Sequence, residues 1–311
     1  MVSYALIAGA QGIAGGPVYQ GLLMNNPGMS GVEGNGIMRL SYLNHYPGNH
    51  LDLNSLYLSY DTYIPALHGG GSFYLSDDYL GGIVNDIRGG FSYAYFLQAG
   101  RKLFVNAGLT ASVFHRGFNF GNAVFPDQID PLGGPSIPTA EVTDNKGRTV
   151  FDVGAGLVVS SGKYSGGISV NHLAEPELYT STVSTERIRR RYTAHASAHF
   201  DLPGNGGFNM EPLLLASLQD NYFFAGAGTS AGNDRFALNI LLTDDNSGNI
   251  NLQAGFSFSF SIVSVYYNYR FNLASGNSLL PVSLMQQAGL TFSLYNVEKR
   301  KDINTIKFPK M

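Results

Sequence analysis

The stretch GFSFSFSIVSVYYNYRF, from Gly255 to Phe271, sets Phe256, Phe258 and Phe260 on one side of an extended chain and Ser257, Ser259 and Ser261 on the other. Successive side chains of a strand point to opposite faces, so one face here is apolar and the other polar. Segments of about ten residues with similar alternation recur from Gly36 to Asn296 with no helical stretch between them. That recurrence is the signature of a transmembrane β-barrel, in which the greasy face meets lipid.

Composition agrees. Only 13% of the 311 residues are charged, against roughly 25% in soluble domains. The chain carries 20 Phe, 19 Tyr and 39 Gly. A formal net charge of −3 leaves no basic stripe for nucleic acid, since the Lys and Arg are scattered except for RIRRR at Arg187 to Arg191 and the tail. The absence of Cys removes disulfides, thiolate catalysis and Cys-rich metal sites. No run of 18 apolar residues occurs, so a membrane would be crossed by strands and not by a helix.

Alternation and turn residues place fourteen strands near 36–46, 51–63, 68–76, 87–99, 102–114, 149–161, 163–172, 189–201, 208–218, 221–230, 233–243, 250–260, 262–272 and 284–296. The predicted fold is an all-β, up-and-down antiparallel barrel of about 14 strands, and closure removes the edges that lipid would not tolerate. The odd connections include SDDYLGGIVND, the segment His115 to Arg148 and the segment Leu173 to Ile188, whereas the even ones are mostly short, such as IPAL, AGRK and SSGK. This asymmetry predicts short periplasmic turns and longer extracellular loops, with both termini periplasmic. Tyr42, Tyr46, Tyr57, Tyr60, Tyr63, Tyr93, Tyr95, Tyr266, Tyr267 and Tyr269 suit a headgroup girdle, although Trp is absent. A soluble β-sandwich would explain the same aromatics by cross-strand packing.

The organisation expected is an incomplete signal peptide at 1–10, an N-terminal periplasmic segment at 11–35, the barrel at 36–296 and a periplasmic tail at 297–311. MVSYALIAGA is apolar and offers an A-x-A pattern at Ala8 to Ala10, but no Lys or Arg precedes Arg39.

Catalytic motifs find little support. His195 and His199 share a strand face with Ser197, near Glu211 in sequence, but strand positions four apart stand about 13 Å from each other, too far for one ion. Asp77 with Asp78, Asp127 with Asp130, and Asp244 with Asp245 lack the spacing of a calcium loop. Gly226, Gly228 and Gly232 miss the dinucleotide spacing, and Ser160-Ser161-Gly162 reads as a turn. No enzyme, cofactor or metal is expected.

Several segments, in order, resemble the PorP/SprF proteins of Bacteroidetes. GPVYQGLLMNNPGMSGVEGNGIMRLSY carries Asn26, Pro27 and Gly31, and SYAYFLQAGRKLFVNAGLTASVFHRGF carries Arg101 and Lys102 at a turn. Asp130 and Pro131 are similar to the family's Asp-Pro loop, and FDVGAGLVVSSGKYSGGISVNHLAEPE includes Asn171, His172, Leu173 and Pro176. The resemblance implies an integral outer-membrane component of the type IX secretion system. Its partners would be outer-membrane lipid, a secreted adhesin-like cargo protein and other secretion components in the periplasm.

The segment His115 to Arg148 is rich in aromatics and prolines. It is expected either to fold inward as a constriction or to present Phe118, Phe120 and Phe125, beside Asp130 and Pro131, to a protein partner. The ERIRRR stretch suits acidic headgroups or a solvated strand end. The expected function is export or surface anchoring of one secreted partner through external loops; the alternative is a passive porin or small-molecule transporter.

Overall fold

The computed structural model describes residues 22–45, 47–48, 53–121, 124–130, 134–135, 138–139, 147–180, 185–203, 207–274 and 284–294. The expectations for residues 1–21, Tyr46, Pro131 and 297–311 lie outside them.

Fourteen barrel strands follow one another in the chain: β1 (Gly36–His45), β2 (Leu53–Ile64), β3 (Gly69–Leu80), β4 (Val84–Gln98), β5 (Leu103–Phe118), β6 (Arg148–Ser161), β7 (Tyr164–Asn171), β8 (Arg191–Ala198), β9 (Asn209–Gln219), β10 (Tyr222–Gly232), β11 (Phe236–Asp245), β12 (Ile250–Phe260), β13 (Val263–Ala274) and β14 (Met285–Leu294). Each pairs antiparallel with its chain neighbours, Phe200–Asp201 continues the pairing of β8 with β9, and β14 pairs with β1. The sheet is therefore a closed up-and-down barrel without an edge, as the alternation predicts.

Burial is inverted relative to a soluble protein. Ser41, Ser59, Asp61, Asp86, Asn106, Asn171, His195, Gln253, Ser257, Asn268 and Gln287 are buried, while Phe91, Leu109, Phe151, Ile168, Leu214, Leu238, Ile240 and Phe260 are exposed. Polar residues line the bore because they occupy the inward position of each alternating pair, and the apolar positions between them face out. An outside made of Leu, Ile and Phe is stable only against hydrocarbon. Ile240→Arg is therefore expected to lower the stability of the barrel in lipid by about 2–4 kcal/mol near the bilayer midplane, as measured by denaturant unfolding in vesicles.

The bore is bound together by side chains that cross between strands. Asn239 Nδ2 donates to Asn268 Oδ1 at 3.1 Å, Asn268 Nδ2 to Gln287 Oε1 at 3.0 Å, and Gln287 Nε2 to Ser41 Oγ at 2.7 Å. Gly255 lies opposite both Asn239 and Asn268, and a Cβ on it would stand 1.8 Å from Asn268 Oδ1. The glycine is what lets the amide ladder pass over β12.

Two expectations need correction. SDDYLGGIVND is not a long loop: β3 runs to Leu80 and β4 starts at Val84, because Gly81 and Gly82 both take positive φ, 64° and 76°, and reverse the chain within three residues. The difference in length between odd and even connections therefore rests chiefly on 119–147, 172–190 and 275–284. Tyr57, Tyr63 and Tyr266 do not belong to a girdle, since they occupy inward positions and are at most 8% exposed; Tyr42, Tyr93 and Tyr95 do face out. Residues 22–35 lie within the barrel, against inward-facing positions of β2 to β8.

Candidate functional site: a bore closed by the chain itself

Residues Leu22–Asn25 form one helical turn and Pro27–Met29 a 3-10 turn, with Asn26 extended between them. Asn26 Oδ1 accepts the Gly28 N–H at 2.9 Å, which fixes the orientation of the amide. Its Nδ2, with two hydrogens to give, points into the wall within reach of three acceptors, Leu157 O at 3.3 Å, Ile168 O at 3.4 Å and His195 Nε2 at 3.2 Å. An amide nitrogen only donates, so His195 Nε2 accepts and its proton sits on Nδ1.

The wall receives this segment because it lacks side chains there. A Cβ on Gly108 would stand 2.4 Å from the Pro27 and Gly28 backbone, one on Gly156 2.1 Å from Asn26 Oδ1, and one on Gly167 2.7 Å from Asn26 Nδ2. These glycines lie on β5, β6 and β7, with Gly108 directly opposite Gly156, and together they make a dimple that fits one turn of backbone. Leu23 and Met29 pack on Val158 beside it.

Further contacts hold both ends. Ser169 Oγ donates to Asn25 O, which also accepts from Asn171 Nδ2 at 3.0 Å. Downstream, Ser30 Oγ lies 2.8 Å from Ser72 Oγ, the Gly31 N–H donates to Asp61 Oδ2 at 3.1 Å, and Arg39 bridges Asp61 to Glu33. Asn26 and Ser30 are completely buried.

A second closure comes from the 172–190 connection. Its Glu177–Thr180 and Thr185–Arg187 segments pair as a short ribbon, and Leu178 and Ile188 turn inward onto Phe114 and Val150. The ribbon is pinned by charge: Arg116 makes a bidentate pair with Asp86, both bonds 2.8 Å, and its Nη1 reaches Glu186 at 2.8 Å. Arg187 bonds Glu177 within the ribbon, and Gln219 Nε2 donates to Arg189 O at 3.0 Å.

Where it is described, the segment around 119–147 packs its aromatic side chains against one another. Phe118 and Phe120 stack at 5.9 Å between centroids and 3° between planes, and Phe125 adds at 6.2 Å from Phe120. Asn119 N–H donates to Ile83 O at 2.8 Å, which sets this aromatic group beside the β3–β4 turn. Val124 and Ile129 are exposed next to it. Asp130 sits in a two-residue ribbon with Gly134, so the three phenylalanines meet while Pro131 lies outside the described residues. His195 and His199 both face the bore but do not converge: His195 meets Asn26, and His199 meets Glu211 at 2.8 Å and Asp201 at 3.2 Å. Among the described residues no group of three metal-ligating side chains is found.

Of the residues that close the bore, the family resemblance had marked Asn26, Pro27, Gly31 and Asn171, without saying what they touch. Inward glycines on β5 to β7 were readable from alternation, but nothing in the sequence says what fills the space above them.

A closed antiparallel sheet with a polar bore and an apolar exterior defines this protein as an outer-membrane β-barrel. Residues 18–277 match the family described as Type IX secretion system membrane protein PorP/SprF, and the chain belongs to that family. Among curated proteins, no match is found. Similar solved structures include the Ralstonia pickettii toluene transporter TbuX, with 10% identity, 88% of this chain and 94% of that one covered, and a TM-score of 0.54. The CymD monoaromatic hydrocarbon channel shows 15% identity, coverage of 89% and 93% and a TM-score of 0.53. The Pseudomonas putida toluene transporter TodX shows 10%, 88% and 93%, and 0.51. At such identities the likeness shows a shared barrel fold.

Proposed function

We propose that this barrel takes part in the export or cell-surface anchoring of one specific secreted, adhesin-like protein, which it recognises through the end that carries the long connections. In this reading the long connections are extracellular, and the tight turns and both termini face the periplasm, where other secretion components dock. The observation that carries it is the double closure of the bore by residues 22–35 and by Leu178 and Ile188. A barrel filled with its own chain is poorly built to pass solutes, so recognition falls to the loop end. There the stacked Phe118, Phe120 and Phe125 provide the kind of aromatic cluster that anchors protein partners.

Purification from native outer membranes tests this. Wild-type barrel is expected to bring down a secreted protein, and the Phe118→Ser, Phe120→Ser, Phe125→Ser triple variant to lose most of it, each truncated anchor weakening binding by about 2 kcal/mol. Heat-modifiable gel mobility would check that the variant is still a barrel. Unchanged recovery would move the contact elsewhere.

A transporter for small apolar molecules is the second reading. What favours it is the inward cluster of Leu213, Leu215, Phe224 and Leu241 on β9 to β11, an apolar strip inside an otherwise polar bore. Those side chains are at most 5% exposed, however, and so are packed rather than open as a track. Steady current through the wild-type protein in planar bilayers would bring the transport reading forward.

A further inference from the structure

On the lipid-facing side of the wall a groove of about 590 Å³ crosses β6 to β10. The pairing register explains it. One outward row runs Ala155, Val170, Tyr192, Leu218, Phe223, and the next runs Leu157, Ile168, Ala194, Ala216. Ala155, Ala194 and Ala216 leave the backbone of Gly156, Ser169, Thr193 and Ser217 as the floor, while Ile168, Tyr192 and Phe223 stand up as walls. Outside a barrel of this kind the surrounding medium is acyl chain, so the trough is filled by hydrocarbon.

A second observation selects among hydrocarbons. Arg190 lies just before β8, two residues from Tyr192, and is exposed there. Its Nε donates to Leu173 O at 3.3 Å, which holds the guanidinium over the chain just past the end of β7. Arg189 is exposed beside it, and among the described residues its side chain has no polar partner. Glu175 lies 3.9 Å from Arg190 Nε, and Asp220 is exposed in the neighbouring β9–β10 turn. Glu175 makes only a loose ion pair with Arg190, so a ligand anion would compete with it there.

We propose that this face holds one anionic membrane lipid, with an acyl chain in the groove over Ala194 and Ala216 and its phosphate at Arg189 and Arg190. The groove supplies length and shape, the arginines supply headgroup choice, and the two contributions are separable.

Native mass spectrometry of the detergent-purified barrel, titrated with phosphatidylglycerol or phosphatidylcholine of identical chains, reads both. Wild type is expected to retain one phosphatidylglycerol about tenfold more strongly than phosphatidylcholine, in keeping with two basic side chains at the headgroup. Arg189→Gln with Arg190→Gln removes that preference and leaves phosphatidylcholine retention unchanged. Ala194→Leu with Ala216→Leu fills the trough and weakens both lipids together. These side chains face outward, so folding is preserved and is checked by heat-modifiable mobility. Equal retention of the two lipids by wild type, or undiminished retention after the alanines are enlarged, would overturn the assignment.

Discussion

Replacing Gly156 with valine is expected to drive residues 22–35 off the wall and raise the accessibility of a cysteine introduced by Val32→Cys about a hundredfold. The native chain has no Cys, so labelling by a water-soluble maleimide reads one site, and Val32 is 3% exposed in the closed form. A side chain at 156 collides with Asn26 Oδ1 at 2.1 Å and Pro27 Cδ at 2.9 Å. The segment then forfeits the Asn26 contacts to Leu157 O, Ile168 O and His195. At about 1 kcal/mol net for each hydrogen bond lost, the opening equilibrium shifts by roughly two powers of ten. Gly89 is the control, because it faces outward and the nearest atom to an added Cβ is 3.6 Å away; Gly89→Val should leave labelling slow. Slow labelling in the Gly156→Val variant would mean that the dimple is not what holds the segment.

The second large effect belongs to Arg116. Both it and Asp86 are buried, at 5% and 1% exposure, and they are joined by two 2.8 Å bonds. Truncating the arginine leaves a buried carboxylate uncompensated, which costs about 3–5 kcal/mol where no water replaces the partner. Arg116→Ala should therefore lower the unfolding free energy by that order in a denaturant titration of the refolded barrel. The Asp86→Ala, Arg116→Ala double variant should recover much of the loss, since no charge is then stranded. Arg116→Ala also frees Glu186, so the ribbon over the bore should become sensitive to protease while the barrel remains resistant. A double variant as unstable as the single would show that the pair contributes by packing.

What could be read from sequence was what period two controls. The β12 expectation of 250–260 matches the strand to the residue, because Phe256, Phe258 and Phe260 alternate with serines over its C-terminal half. Strand number and the inward or outward sense of most positions followed from the same rule. The β3–β4 hairpin was missed because Asp77, Asp78 and Asn85 look like loop residues, although Asp78 and its cross-strand partner Asp86 sit in a bore that accepts polar side chains. Tyr57, Tyr63 and Tyr266 were misplaced since composition, and not position parity, assigned them. The closure of the bore was invisible for a different reason: it depends on Gly156 and Gly167 meeting Asn26, and Gly108 meeting Pro27, across long stretches of chain. Such a contact is a property of the closed cylinder and not of any segment. Likewise nothing local distinguished the connection that folds inward, 172–190, from 119–147, whose aromatics cluster on themselves.

In this barrel the apolar faces of the strands meet hydrocarbon and the polar faces a chain-filled bore. Because the chain has no Trp, single reporters placed by Ile240→Trp and Asn239→Trp, adjacent on β11 but on opposite faces, test it in vesicles of acyl-brominated lipid. The tryptophan at 240 should be strongly quenched and the one at 239 should not. Equal quenching at the two positions, or quenching only at 239, would contradict the inside-out barrel.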